Sequence, residues 1–465
     1  MHIVRRTVRR VTAAGALAAL VLPLEACDNV RKELLAVVEP DVINPASTNS
    51  AEAADFLRVG ALSRARGIMS GGEGWVLYGL LADEWKSSNT FFQHNDTDQR
   101  NNPDDNSVVA GVFTGIHRVR NSSREAINAL NTYKPTPAWG IGQMWWTMGY
   151  AELSLAENFC NGVPLGDAST GQPVYGPPLT NAEILAIAIT HFDSALAMAT
   201  ATDANSVGLK NLATIHKARA LVDLGQFSAA AALVAPIATN YGNTVFTFTL
   251  TAGDGVRDVF IWNYNNSVKR MTVSDSYDIT GVIKNALPFA SAQDPRVKTV
   301  GSSTGTSARG RGFDGSTNLV TQEIWGRLDP PYIVSGLDAR LIEAEAKLQA
   351  NDFAGTTAML NALRAAPQVL GPAFTTPVMA ALPVPATKDA AIDQFFREKA
   401  FWQFSRGYRL NDLRRLVRQY GRLQENVFPS GTYFKGDTYG SDVNFPVTPN
   451  ELNNPQFTGC LDRKA

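Results

Sequence analysis

Cysteine and histidine are scarce: three and five in 465 residues. The histidines fall at 2, 94, 117, 191 and 216, and no two have the spacing of zinc ligands. His117, His191 and His216 lie on helical stretches and read as scaffold residues. Charge of one sign is not in excess. The 42 basic and 43 acidic side chains nearly cancel, and no basic stripe runs along any helix, which argues against a nucleic-acid partner. No glycine-rich phosphate loop and no Gly-x-Ser-x-Gly nucleophile turn occurs. The acidic group Asp96, Asp98, Asp104 and Asp105 lacks the glycine and closing glutamate of a calcium-binding EF-hand loop. These absences leave no expected metal, cofactor or catalytic residue. Apolar residues make up 45% of the chain, the ordinary content of a globular protein.

No apolar run is long enough to span a bilayer. The longest begins after Arg5, Arg6, Arg9 and Arg10, covers residues 11–24 and is interrupted by Pro23. It ends in Leu24-Glu25-Ala26-Cys27, which resembles the bacterial lipobox. Residues 1–26 therefore read as a lipoprotein signal peptide, with Cys27 as the lipidated residue and residues 27–50 as a polar tether. An ordinary secretory signal, leaving a soluble periplasmic protein, is the alternative. Loss of the leader removes four arginines and one glutamate, so the mature chain is more acidic than the net charge of −1. The remaining pair, Cys160 and Cys460, would form either a disulfide or two buried thiols in an exported protein.

Residues 51–465 read as one mostly α-helical body with long irregular loops. Apolar residues recur at three- and four-residue steps over 56–69, 75–85, 110–130, 139–159, 184–196 and 212–222. Two stretches have the grammar of helical hairpins. In one, Ala218 to Leu224 runs into Gly225-Gln226-Phe227 and Ala230. In the other, 339–350 runs into Asn351-Asp352-Phe353. Gly225 and Asn351 suit the left-handed position that ends a helix. Small residues with a glycine-x-aromatic turn resemble the tetratricopeptide repeat, here unevenly spaced and separated by insertions. The insertions are 161–179, 244–278 and 300–332. The second includes a β-like run at 245–250, together with Trp262 and Tyr264, and the third includes Trp325.

The best candidate for function is the segment from Asp83 through Trp85 and Asn89 to Phe91 and Phe92. Aromatic rings match the flat C–H faces of sugars, and Asp and Asn match hydroxyls. Trp262, Tyr264 and Trp325 are expected to form the opposite wall. The structural alternative is that Trp85 plugs the core. In the charged block 397–415, Arg397, Glu398, Arg406, Arg409, Asp412 and Arg414 are expected to form ion-pair scaffolding where two helices meet at Gly407.

Four segments together resemble the SusD/RagB family of outer-membrane nutrient-binding lipoproteins. They are 156–165, with its turn Asn161-Gly162-Val163-Pro164, the helix 338–346, Asp338-Ala339-Arg340-Leu341-Ile342-Glu343-Ala344-Glu345-Ala346, the block Arg397-Glu398 through Arg406-Gly407-Tyr408-Arg409 to Asp412-Leu413-Arg414-Arg415, and 444–455, Asn444-Phe445-Pro446-Val447-Thr448-Pro449-Asn450-Glu451-Leu452-Asn453-Asn454-Pro455. Ser405 and Tyr408 stand where many relatives carry glutamate and histidine. The resemblance implies a helical, tetratricopeptide-like fold decorated by loops. It also implies a lipid-anchored, non-catalytic subunit at the cell surface, acting as the lid of a SusC/RagA-like TonB-dependent outer-membrane transporter and delivering oligosaccharides or peptides to it. Two other readings compete. A periplasmic repeat scaffold would need regular repeats. A glycoside hydrolase would need two carboxylates about 5–10 Å apart, and Asp83 with Glu84, adjacent on the chain, makes a poor pair.

Overall fold

Local signals set most of the helix starts. In the computed structural model, which describes residues 49–169, 172–246 and 258–465, Thr180 and Glu183 form a reciprocal capping box. Asp203 and Asn106 likewise accept backbone N–H groups at the starts of their helices, which satisfies donors a helix leaves unpaired. The leader, Cys27 and nearly all of the tether lie outside the described residues, as do residues 247–250 of the β-like run. The chain divides into Met1–Ala53 and Ala54–Ala465.

The helices are α1 (Ala51–Ile68), α2 (Glu73–Leu81), α3 (Phe92–Asp98), α4 (Ser107–Tyr133), α5 (Trp139–Asn158), α6 (Asn181–Met198), α7 (Ala204–Asp223), α8 (Phe227–Val234), α9 (Gly336–Gln349), α10 (Phe353–Arg364), α11 (Lys388–Trp402) and α12 (Arg409–Arg418). α5 is buried along almost its whole length between α4 and α6. The α7/α8 and α9/α10 hairpins stack through α8 and α9. The turn residues behave as their types require: Gly225 has φ +75° and Asn351 φ +58°. The fold is thus mostly α, with tetratricopeptide-like hairpins and long insertions between them.

The expected helix over 75–85 ends early. α2 stops at Leu81, the chain turns, and Trp85–Ser87 forms a strand, β1. Polar partners far along the chain override the local periodicity. Asp83 binds Arg409 through both carboxylate oxygens at 2.7 and 3.0 Å, Glu84 accepts the Ser405 N–H at 2.7 Å, and the Trp85 indole donates to Ser405 Oγ at 2.8 Å. β1 pairs antiparallel with β2 (Met271–Val273), Trp85 facing Val273. β3 (Thr299–Gly301) and β4 (Val320–Gln322) form a second ribbon. The Val320 N–H donates to Thr272 Oγ1 at 2.7 Å and ties the ribbons together. These short strands gather the long insertions into one loop-built region beside the helices.

The charged block is scaffolding, as its composition suggests. Arg406 binds Asp338, Arg409 binds Asp83, Asp412 binds Lys399 and Arg415, and Glu398 binds Arg296 and Arg364. Arg414 is buried but donates to the backbone carbonyls of Ala156 and Glu157 rather than to a carboxylate. Arg397 corrects the expectation: it is exposed, packs over the Phe401 ring at 5.0 Å and has no ion pair among the described residues. Gly407 has φ +74°, and a Cβ there would sit 2.6 Å from the Trp75 ring, so glycine is required on both counts. Cys160 and Cys460 are joined in a disulfide, with Cα atoms 6.0 Å apart. Phe445 of the closing motif pairs its backbone with Asn158 and Cys160 and packs its ring on Phe159 and Tyr78.

Glu84 gives this interior a pH dependence. Burial pushes its carboxyl up to about 8 against the opposing Ser405 N–H bond, and its Oε2 has no partner. The folded-state value is above the ordinary carboxylate value of about 4.5, so folding favours the protonated form. That contribution is complete below about pH 4.5 and is lost as pH rises toward 8. Glu84→Gln removes the ionisation at the cost of an unpaired amide. It is expected to unfold later than the wild type by about 2 kcal/mol at pH 8 and to show no advantage at pH 4. Urea titrations at the two pH values check this.

Candidate functional site

After β1 the backbone turns outward and is stitched to two distant loops. Ser88 donates its N–H to the Arg270 carbonyl at 3.1 Å and its Oγ to the Lys269 carbonyl at 2.8 Å. The Phe313 N–H donates to the same Lys269 carbonyl at 2.8 Å, and the Asp314 N–H donates to the Ser88 carbonyl at 3.0 Å. Gly312 lies so close to Ser88 that a Cβ would sit 2.3 Å from the serine Cβ, so a side chain there would part the loops. A fourth loop supplies Lys435, whose Nζ donates to the Asn89 carbonyl at 2.7 Å and Asn95 Oδ1 at 2.8 Å and pairs with Asp314 at 2.9 Å.

This stitching presents an aromatic surface. The Arg270 guanidinium lies 4.3 Å from the Phe91 ring centre and 4.4 Å from that of Phe313. Phe91, Phe92 and Phe313 are 46%, 64% and 50% exposed, an unusual cost for large apolar side chains unless something covers them. Behind them, His94 stacks offset on Phe91 and meets Tyr264 edge-on, and Tyr264 stacks on Phe260 at 4.1 Å. The buried His94 is held by Asn89 Nδ2, which donates to its Nδ1 at 3.0 Å, and its Nε2 lies 3.4 Å from Glu73. The Tyr264 hydroxyl donates to the same Glu73 carboxylate at 3.1 Å. Burial and that neighbouring charge both raise its pKa, so it remains a donor at any physiological pH.

Of the residues chosen from the sequence, Phe91 and Tyr264 converge here and Phe92 is exposed beside Phe91, whereas Asn89 is 1% exposed and acts from beneath, holding His94 and Arg270 rather than facing a ligand. Trp262 is half-buried on the same helical turn as Tyr264, with its ring 5.7 Å from the Arg327 guanidinium. Three choices do not hold. Asp83 is buried in its pair with Arg409, Trp85 is 1% exposed beneath Phe404, and Trp325 is 3% exposed with its ring against Gly371. All three are interior residues with no face for a ligand. Asp83 and Glu84, the pair weighed for glycoside hydrolysis, both point into the protein. Asp98 is also structural. It accepts from the Ser87 N–H and the Tyr433 hydroxyl, and burial pushes its carboxyl up to about 6. Among the described residues, no group of three or more His, Cys, Asp or Glu side chains is placed to hold a metal ion. The sequence reading missed Arg270, Phe313 and Lys435. Phe313 had a legible signal, as a lone aromatic in Arg-Gly-Arg-Gly-Phe-Asp-Gly, where nothing local would bury it.

No protein-family model matches the sequence, and no curated protein matches it. Solved structures do. A SusD superfamily protein from Bacteroides vulgatus superposes with a TM-score of 0.60 at 15% identity, over 89% of this chain and 99% of that one. A SusD-like protein from Bacteroides fragilis gives 0.62 at 12% identity, over 90% and 98%. A SusD-like carbohydrate binding protein from Bacteroides vulgatus gives 0.55 at 12%, over 88% and 98%. The chain has the SusD fold over nearly all of its length.

Proposed function

We propose that this protein is a non-catalytic, lipid-anchored subunit at the outer face of the outer membrane, which captures oligosaccharides and hands them to a SusC/RagA-like TonB-dependent transporter. The exposed Phe91, Phe92 and Phe313, knit by backbone bonds around Arg270 on loops of a SusD fold, carry the reading. Exposed rings on a rigid loop platform stack on sugar faces at small entropic cost, while the Arg270 guanidinium supplies hydrogen-bond donors beside them. Among the described residues no helix is long and apolar enough to cross a membrane, so attachment is assigned to Cys27.

Calorimetric titration of the purified chain with a panel of neutral and acidic oligosaccharides tests the binding role. Micromolar or weaker binding without turnover is expected, and Phe91→Ala or Phe313→Ala should weaken it about tenfold with the fold intact by circular dichroism. Hydrolysis of a panel member, or binding of peptides and no glycan, would refute the proposal. Labelling of residue 27 by radioactive palmitate in cells tests the anchor, and co-purification of a large β-barrel from native membranes tests the partner.

A further inference from the structure

We infer that the glycan gripped at this platform is acidic, a uronic-acid-bearing oligosaccharide whose carboxylate is received by Arg270 between Phe91 and Phe313. The inference rests on the proposed glycan-binding role and adds the ligand's charge.

The observation behind it is a half-buried guanidinium with no carboxylate partner among the described residues, set against two exposed aromatic rings, whereas the arginines of the interior networks are paired. Arg219, Arg296, Arg406, Arg409 and Arg415 each bind a carboxylate in the interior. Arg270 binds none among the described residues. Its one hydrogen bond there is to Asn89 Oδ1, at 3.3 Å, and none of its nitrogens is buried without a partner, so the rest of the fork faces water. Its surroundings do not compensate. Lys269 is exposed and has no ion pair among the described residues, and Arg311 donates only to the Ser316 carbonyl and Asn318 Oδ1. Of the nearby acids, Asp314 is engaged by Lys435 and by the Thr317 hydroxyl and N–H, and Glu73 accepts the Tyr264 hydroxyl, so two acids stand against Lys269, Arg270, Arg311 and Lys435. The patch is therefore locally positive in a chain whose net charge is −1.

Contacts with two rings, at 4.3 and 4.4 Å, restrict the guanidinium. Little ordering is left to do when a ligand arrives. A planar, fixed fork of N–H donors matches a carboxylate bidentately, which a lysine cannot do. The neighbouring rings want a flat C–H face. A uronate unit offers both within one sugar ring, a pyranose face and a carboxylate at its edge.

Calorimetry on the full mature chain tests this, using oligomers of galacturonate, of mannuronate with guluronate, and of glucuronate-containing repeats. Each is compared with the same oligomer after carboxyl reduction to the neutral sugar. At least one acidic oligomer should bind about ten- to a hundredfold more tightly than its reduced form, and the advantage should shrink as salt is raised. Arg270→Gln should remove the advantage, so that the acidic oligomer and its reduced form bind the variant with equal affinity. Arg270→Lys, which keeps the charge and loses the fork, should retain only part of it. Circular dichroism melting of both variants confirms that the platform is intact. Equal affinity for acidic and reduced forms would overturn this inference and leave the glycan-binding role standing. Binding of no oligomer at all, or of acidic peptides alone, would overturn both.

Discussion

Glu345→Ala is expected to destabilise the protein by about 3–5 kcal/mol, the cost of stranding a buried charge. Glu345 is fully buried and receives the Arg415 guanidinium, the Lys399 ammonium at 3.4 Å and the Tyr420 hydroxyl at 2.7 Å. Its removal leaves Lys399 and Arg415 sharing Asp412, at 2.6 and 3.1 Å, with Asp223 reaching Arg415 only at 3.5 Å. Replacing Glu345 and Arg415 together by methionine should cost less than Glu345→Ala alone, because no charge is then stranded. Acid has a related effect. Burial raises the Glu345 carboxyl, but Arg415 and Lys399 outweigh it and hold the group down at about 2. The folded value is below the unfolded value of about 4.5, so this contribution is complete above about pH 4.5 and is lost as pH falls toward 2. Urea midpoints at pH 7 and pH 3 should therefore converge between wild type and Glu345→Gln at the lower pH. A midpoint for Glu345→Ala equal to that of the wild type at pH 7 would show that the network does not stabilise the fold.

The second large effect concerns the bridge from Cys160 to Cys460, separated by 300 residues. It closes a loop holding most of the helical body, so it removes much of the freedom of the unfolded chain. Cys460→Ser is expected to cost about 2–5 kcal/mol. Reducing agent should lower the wild-type urea midpoint to that of the variant and leave the variant unmoved. The native tail should stay in place in the variant, since Phe445 is still held by the backbone of Asn158 and Cys160 and Arg463 binds Asp442 and Asn444. A wild-type midpoint indifferent to reductant would show that these contacts, and not the bridge, hold the tail.

What could be read beforehand was local in origin. Gly225 and Asn351 mark the hairpin turns because the left-handed backbone region admits few residue types. Apolar steps of three and four mark α4 and α6 because those helices bury one stripe against their neighbours. Trp85 shows where this fails. Its periodicity is helical, yet it lies in a strand, because Arg409 and Ser405, more than 300 positions away, draw Asp83, Glu84 and the indole out of the helix. Trp325 lies in a Gly, Ser and Thr loop with no periodicity to bury it, yet that loop folds back and leaves the ring 3% exposed. Arg270 and Phe313 went unnoticed for the opposite reason. Neither belongs to a pattern, and they matter only because a third loop carries Phe91 to within reach.

From the amino-acid order alone come the helical class, the hairpin turns, the family resemblance and a charged block better suited to scaffolding than to chemistry. Each rests on interactions spanning a few residues, or on a composition repeated along one element. The joining of Cys160 to Cys460, the burial of Asp83, Trp85 and Trp325, and the assembly of Phe91, Arg270 and Phe313 were decided only in three dimensions. They depend on backbone bonds such as Ser88 to Lys269, 181 positions apart, and contacts of that range leave no periodic trace in the chain.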